Sequence, residues 1–191
     1  MIRFIHTFLL LIFFISVNAV NNKNDITKYV FWSDTMTVSW DMFKGIPFED
    51  CQAGITSGID YNYEEYESFL KMHIFSYMDL YKSRPSSCIV EKLKQDLLKH
   101  EIYHFKISEL WARILSKKLD NKKFKRKSAG YDVFVVQKNV INLCREMQDQ
   151  YDLETNHSKN KNKQIEWQQK IDRLLDKYKK YANKKVSIKL K

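Results

Sequence analysis

The segment Leu97-Leu98-Lys99-His100-Glu101-Ile102-Tyr103-His104-Phe105 sets two histidines four residues apart with a carboxylate directly after the first. On an α-helix, residues four apart stand one above the other, so His100 and His104 can aim imidazole nitrogens at one point. That is half of a tetrahedral zinc (Zn2+) site. Glu101 projects from the next position round the helix, where it can take a proton from a water acidified by the metal. The chemistry expected of the segment is metal-assisted hydrolysis.

A catalytic zinc takes three protein ligands and keeps one position open, so a third ligand is needed. Glu109 is near in sequence, but at about 100° per residue it lies roughly 180° from His100 around the helix. It reads as a solvated carboxylate or as one that backs a ligand. The richer reservoir is Tyr151-Asp152-Leu153-Glu154-Thr155-Asn156-His157, where Asp152, Glu154 and His157 compete on residue chemistry. His73 competes poorly, and His6 falls in the leader described below.

These residues need elements to hold them. Leu93, Leu97, His100, His104, Ile107, Trp111 and Ile114 recur at helical spacing, so both histidines interrupt an apolar stripe that faces the interior. The expected helix runs from about Ile89 to Leu119, capped by Ser86 or Ser87 after Pro85. A basic connector, Asp120 to Gly130, leads to a second helix over 133–151, with Val136, Val140, Leu143, Met147 and Tyr151 on its apolar face. A last helix carries Trp167, Ile171, Leu174 and Tyr178, and the lysine-rich end is expected to fray. Upstream, Tyr29 to Phe43 is rich in β-formers and reads as one or two short strands. Tyr61 to Met78 reads as an antiparallel pair turning near Glu64-Glu65, with Ile59, Tyr61 and Tyr63 alternating on one strand and Leu70, Met72 and Ile74 on the other. The fold class is therefore α+β: a small N-terminal antiparallel sheet, then a helical part with the H-E-x-x-H pattern on a long helix, a zincin-like arrangement.

The 191 residues fit one domain with a core large enough not to need disulfides. Arg3, the apolar run from Phe4 to Val17 and the boundary Val17-Asn18-Ala19 read as a secretory signal peptide, residues 1–19. Residues 20–191 form the single domain, β-rich over 29–80 and helical over 89–180, with a basic tail over 181–191. Nothing after the leader is apolar for long enough to span a bilayer, so a soluble secreted or periplasmic protein is expected. Of the three cysteines, Cys51 and Cys88 lie in turn-like surroundings that suit a bridge, while Cys144 sits on a helical apolar face as a buried thiol. The net charge is +10, with lysines crowding over 117–127 and 177–191. No aromatic residues interleave with them as a nucleic-acid platform requires, so they read as solvated faces and no nucleic-acid partner is expected.

Four blocks in order resemble the bacterial domain-of-unknown-function family 922, described as predicted secreted zinc-dependent proteases. They are Val38-Ser39-Trp40-Asp41-Met42-Phe43-Lys44-Gly45-Ile46-Pro47; Ala53 to Tyr63; Leu98 to Arg113 with His100-Glu101-Ile102-Tyr103-His104; and Tyr151 to His157 followed by Gln164-Ile165-Glu166-Trp167. The family pattern reads H-E-x-x-H-F-D-[IL]-x-E and Y-D-x-x-T-x-H-G. Lys106 stands where Asp is usual, and Ser158 where Gly is usual. The resemblance implies a metallopeptidase acting on a peptide or protein substrate, with His157 as the third zinc ligand. It further implies that Asp152 orients a ligand histidine from outside the coordination sphere, beside Glu154, and that Thr155 fixes the local turn. Tyr151 is the candidate donor to the oxyanion formed at the scissile carbonyl. On residues alone two other functions stay open: a non-catalytic envelope or surface-binding protein with a structural or vestigial zinc site, and a zinc amidase acting on cell wall.

Overall fold

The computed structural model describes residues 28–49, 52–88 and 90–191. The expected signal peptide, His6 and Cys51 lie outside them. Among the described residues five strands and three α-helices follow in the order β1 (Tyr29–Phe31), β2 (Ser57–Glu65), β3 (Phe69–Asp79), α1 (Glu91–Leu119), β4 (Lys123–Phe124), α2 (Ala129–Thr155), α3 (Lys161–Lys177) and β5 (Lys185–Leu190). The α+β class holds.

Strand β3 is the centre of the sheet. Its register with β2 pairs Ser57 with Met78 and Glu65 with Leu70, whereas β1 pairs Val30 with Met78 and β5 pairs Ile188 with Leu70. One residue of a strand has only two edges to offer, so β2 takes one edge of β3, and β1 and β5 share the other. Leu70, Met72, Ile74, Ser76 and Met78 alternate inward along β3, the period-two pattern that one buried face demands. The β2–β3 turn falls at Glu67-Ser68, where Tyr66 N–H donates to Phe69 O at 2.8 Å, and not at Glu64-Glu65, which remain in the ladder.

The sheet is not wholly N-terminal. Lys185–Leu190, expected to fray, forms β5: Val186 and Ile188 alternate with Lys185, Ser187 and Lys189, and the two apolar side chains are buried. Strand β4, in the basic connector, pairs parallel with β5 and makes the sheet mixed. The β-rich stretch after Phe31 yields no second strand; Trp40–Met42 is a 3-10 turn whose neighbours Val38 and Phe43 pack with Phe105 and Met78.

Helix α1 crosses the middle of the molecule, with the sheet on one side and α2 and α3 on the other. Phe105, Ile107, Leu110, Ala112 and Leu115 are all fully or almost fully buried and point in different directions round the axis, so the helix is buried nearly all round at its centre. It starts at Glu91 with Val90 as an extended cap residue. Neither serine caps it, and Ser87 Oγ donates instead to Phe48 O at 2.6 Å. Glu109 is neither solvated nor beside the histidines. It is fully buried on the sheet side of α1, accepting from Arg113 Nε at 2.8 Å and from Ser76 Oγ and Lys184 Nζ at 2.7 Å each. Arg113 also donates to Asp34 Oδ1 and Leu175 O, so one ion network, buried except at Asp34, ties the N-terminal segment, β3, α1, the end of α3 and the approach to β5. Cys88 is disulfide-bonded and Cys144 is a buried free thiol. Among the described residues no helix is long and apolar enough to cross a membrane.

Candidate metal centre

Helix α2 runs alongside α1 and brings Asp152 over the histidine pair. Asp152 Oδ1 lies 3.0 Å from His100 Nε2 and 2.9 Å from His104 Nε2, and the two nitrogens are 3.2 Å apart. These atoms form a nearly regular triangle. A tetrahedral zinc with ligands at about 2.0–2.1 Å sets its ligand atoms about 3.3 Å apart, so the triangle is close to one face of that tetrahedron. Two imidazoles and a carboxylate form a donor set that zinc accepts. His100, His104 and Asp152 thus make a largely buried group that could bind a metal.

Each histidine is held in the tautomer such a site needs. Gln148 of α2 donates through Nε2 to the carbonyl of His104, at 2.9 Å, which turns its Oε1 toward His104 Nδ1. Gln164 of α3 donates to the Tyr151 hydroxyl, which in turn donates to the carbonyl of His100 at 3.3 Å, leaving Gln164 Oε1 2.9 Å from His100 Nδ1. Both Nδ1 atoms therefore act as donors, and each Nε2 is directed at Asp152. The amide orientation is set by the carbonyl of the residue being oriented.

The three groups are coupled electrostatically. Burial lowers His104's hold on a proton, but the hydrogen bond to Asp152 and the charges of Glu101 and Asp152 outweigh it, and its pKa stands above the ordinary imidazole value. Burial also pushes the Asp152 carboxyl up, yet hydrogen bonds from His100 and His104 hold it well below the usual carboxylate range.

Glu101 is buried at the edge of the group, and its Oε2 accepts from the backbone N–H of Ile55 at 2.8 Å. His100, Glu101, His104, Gln148 and Asp152 line a cleft of about 880 Å3, walled across from α1 by Gln52 to Ser57. A buried donor set, a nearby carboxylate and an open approach meet in one place.

The remaining candidates from the 151–157 block separate. His157 also lines the cleft, half-exposed, with Nδ1 3.6 Å from Asp152 Oδ1. The innermost third position, which the resemblance assigns to His157, is occupied by Asp152. The reason is the helix end: Asn156, His157 and Ser158 all have positive φ, and His157 N–H bonds Asp152 O at 3.1 Å, so the chain has already turned off α2 when it reaches His157. Ser158 has φ 71°, a region where a glycine has no Cβ to clash. Tyr151 does not face the cleft. It is fully buried behind the pair, stacked on His100 at 4.6 Å between centroids and edge-on to His104 at 4.9 Å, and burial pushes its phenol pKa up. Its hydroxyl is engaged by Gln164 and the His100 carbonyl, so it braces the histidines and does not reach a substrate. Glu154 accepts from Trp167 Nε1 at 2.9 Å and Gln150 Nε2 at 2.8 Å, away from the group. Thr155 is buried, and its hydroxyl returns to Tyr151 O at 2.6 Å, closing the last turn of α2. Sequence reasoning passed over Gln148 and Gln164. Gln148 carried a signal, since it lies four residues before Asp152 on the same helix face; Gln164 carried none until α3 packed against α1.

The class these observations define is an α+β protein whose long central helix presents a metal-capable His-His-Asp group to a cleft. Comparison with known protein families, with curated proteins and with solved structures returns no match to this chain.

Proposed function

We propose that the chain is a zinc-dependent metallopeptidase that works outside the cytoplasm, in the periplasm or beyond the cell. The observation that carries the reading is the triangle of His100 Nε2, His104 Nε2 and Asp152 Oδ1, with edges of 2.9 to 3.2 Å, lying on a cleft beside the buried carboxylate of Glu101. The four-block resemblance implies the same activity.

His100, His104 and Asp152 would hold the zinc, with His157 beside them, its Nδ1 3.6 Å from Asp152 Oδ1. When bound, zinc supplies Lewis acidity and a water that ionises near neutral pH. Glu101 is the general base: it takes the proton from the attacking water and delivers it to the leaving amine. The Ile55 N–H holds one oxygen of that carboxylate and leaves the other for the proton. Gln148 and Gln164 keep both imidazoles aimed through the cycle, so no ligand must reorient as charge develops.

The test is zinc stoichiometry on the mature protein from Val20 onward, followed by a peptide-library cleavage assay. One zinc per chain is expected, with cleavage abolished in Glu101→Gln while zinc is retained. Unchanged peptide hydrolysis by Glu101→Gln sinks the mechanism, and no zinc in the folded wild type sinks the whole reading.

A further inference from the structure

One wall of the cleft is made by the start of α1. Val90, Leu93 and Leu97 line it, spaced three and four residues apart on the face that also carries His100, Glu101 and His104, and Ala53 and Ile55 stand on the opposite wall. A helix normally covers its apolar stripe. Here Leu97 is 6% exposed, but Leu93 is 46% and Val90 62% exposed. The stripe that enters the core at Leu97 runs outward as open apolar surface inside the cleft. Lys159 and Lys161 lie on its rim, Lys161 bridged to Asp96 at 3.0 Å.

The spacing matches an extended peptide. Leu97 and Leu93 are four residues apart, about 6 Å along the helix. Side chains on one side of an extended chain recur every second residue, about 6.6–6.8 Å. Leu97 lies three residues from His100, about 4.5 Å along the axis, little more than one residue of extended chain. A peptide whose reacting bond sits over the His-His-Asp group and whose chain follows α1 sets alternate side chains against Leu97 and Leu93.

On the peptidase reading, we propose that this wall is the specificity subsite, selecting peptides with two large apolar side chains one residue apart on one side of the cleaved bond. The occupant is a peptide and not a second copy because the wall is continuous with the candidate reactive group and faces Ala53 and Ile55 across the cleft. Lys161 is paired with Asp96, which leaves Lys159 as the rim charge that favours an acidic residue flanking the apolar pair over a basic one.

The experiment uses the full mature chain, zinc-loaded, as Glu101→Gln so that bound peptide is not consumed. Fluorescence polarisation compares labelled peptides containing Leu-Ala-Leu-Glu, Ala-Ala-Ala-Glu and Leu-Ala-Leu-Lys. The first is expected to bind at least about tenfold tighter than the second, since two leucine side chains leave water, and tighter than the third. Adding Leu93→Asp should erase the leucine preference while leaving zinc affinity unchanged. Equal binding of the first two peptides, or a preference that survives Leu93→Asp, overturns the subsite. A dimer in sedimentation velocity that Leu93→Asp dissociates assigns the wall to a second copy and overturns it also. Wild-type hydrolysis is measured in parallel: no hydrolysis with the preference intact removes the peptidase reading and keeps the subsite, and hydrolysis without preference does the reverse.

Discussion

Replacing Asp152 by Asn separates the two roles open to that carboxylate. Its Oδ1 is almost equidistant from His100 Nε2 and His104 Nε2, at 3.0 and 2.9 Å, and it is the one anion among the three inward groups. A carboxylate that only orients a ligand histidine contributes about 10–100-fold to metal affinity. Loss of a ligand, and with it the charge that balances the dication, should cost more, on the order of 1,000-fold or about 4 kcal/mol. His157 is half-exposed with its Nδ1 3.6 Å from Asp152 Oδ1, beyond hydrogen-bond range, so His157→Ala should cost less than about tenfold. Competitive zinc titration against a chelator of known affinity reads both, with circular dichroism to confirm that the variants fold. If His157→Ala weakens zinc more than Asp152→Asn does, the assignment of the inner position to Asp152 is refuted and the arrangement implied by the family resemblance stands.

Gln148→Leu and Gln164→Leu should each weaken zinc binding by about 10–100-fold, whereas Gln→Glu at the same positions retains it, because a carboxylate still accepts from Nδ1; the same titration checks this. Metal-free protein should lose thermal stability as pH rises from about 6.5, the unfolded imidazole value, through the higher folded value of His104. The folded pKa of His104 is raised, so its contribution is fully present below the unfolded imidazole pKa of about 6.5 and is lost as pH rises through the folded value. Asp152, lowered, contributes throughout that window and is lost only in acid. Zinc affinity should rise over the same interval as the competing proton leaves, and a melting series with and without zinc would show the opposing trends. Glu109→Ala should destabilise the fold by roughly 3–5 kcal/mol in urea titration, because it strands the buried Arg113 and Lys184 charges. The Cys144 thiol, pushed up to about 11 by burial, should have on the order of a thousandth of its population ionised at pH 8 and should resist alkylation until the protein unfolds.

The helices were largely legible because their information is local. An apolar residue every three or four positions marks α1, and the structure places it within two residues of the expected start and at the expected end. The alternation of Leu70, Met72 and Ile74 likewise marks β3 as a half-buried strand. What failed was long-range. The 181–191 tail looked like a solvated run because four of its eleven residues are lysine. Yet Val186 and Ile188 are buried once β3 presents a free edge, and pairing with a strand over a hundred residues away leaves no mark on the tail's own composition. Glu109 was misread for the same reason: its angle on the helix correctly turned it from the histidines, but its burial depends on Ser76, Arg113 and Lys184 arriving from other parts of the fold.

The amino-acid sequence by itself determined half of the metal-capable group. An i, i+4 histidine pair with an adjoining glutamate converges through helix geometry alone, whatever surrounds it. The third group was decided only by tertiary structure. Asp152, Glu154 and His157 are chemically able candidates within six residues, and which one meets the pair depends on how α2 lies across α1 and where its last turn ends. Because Asp152 is still on the helix, it points down at the histidines. By His157 the backbone has passed into left-handed φ and carries the side chain toward the rim. Gln164 belongs to the same category, since an amide is catalytically silent until a neighbouring helix sets it against an imidazole nitrogen.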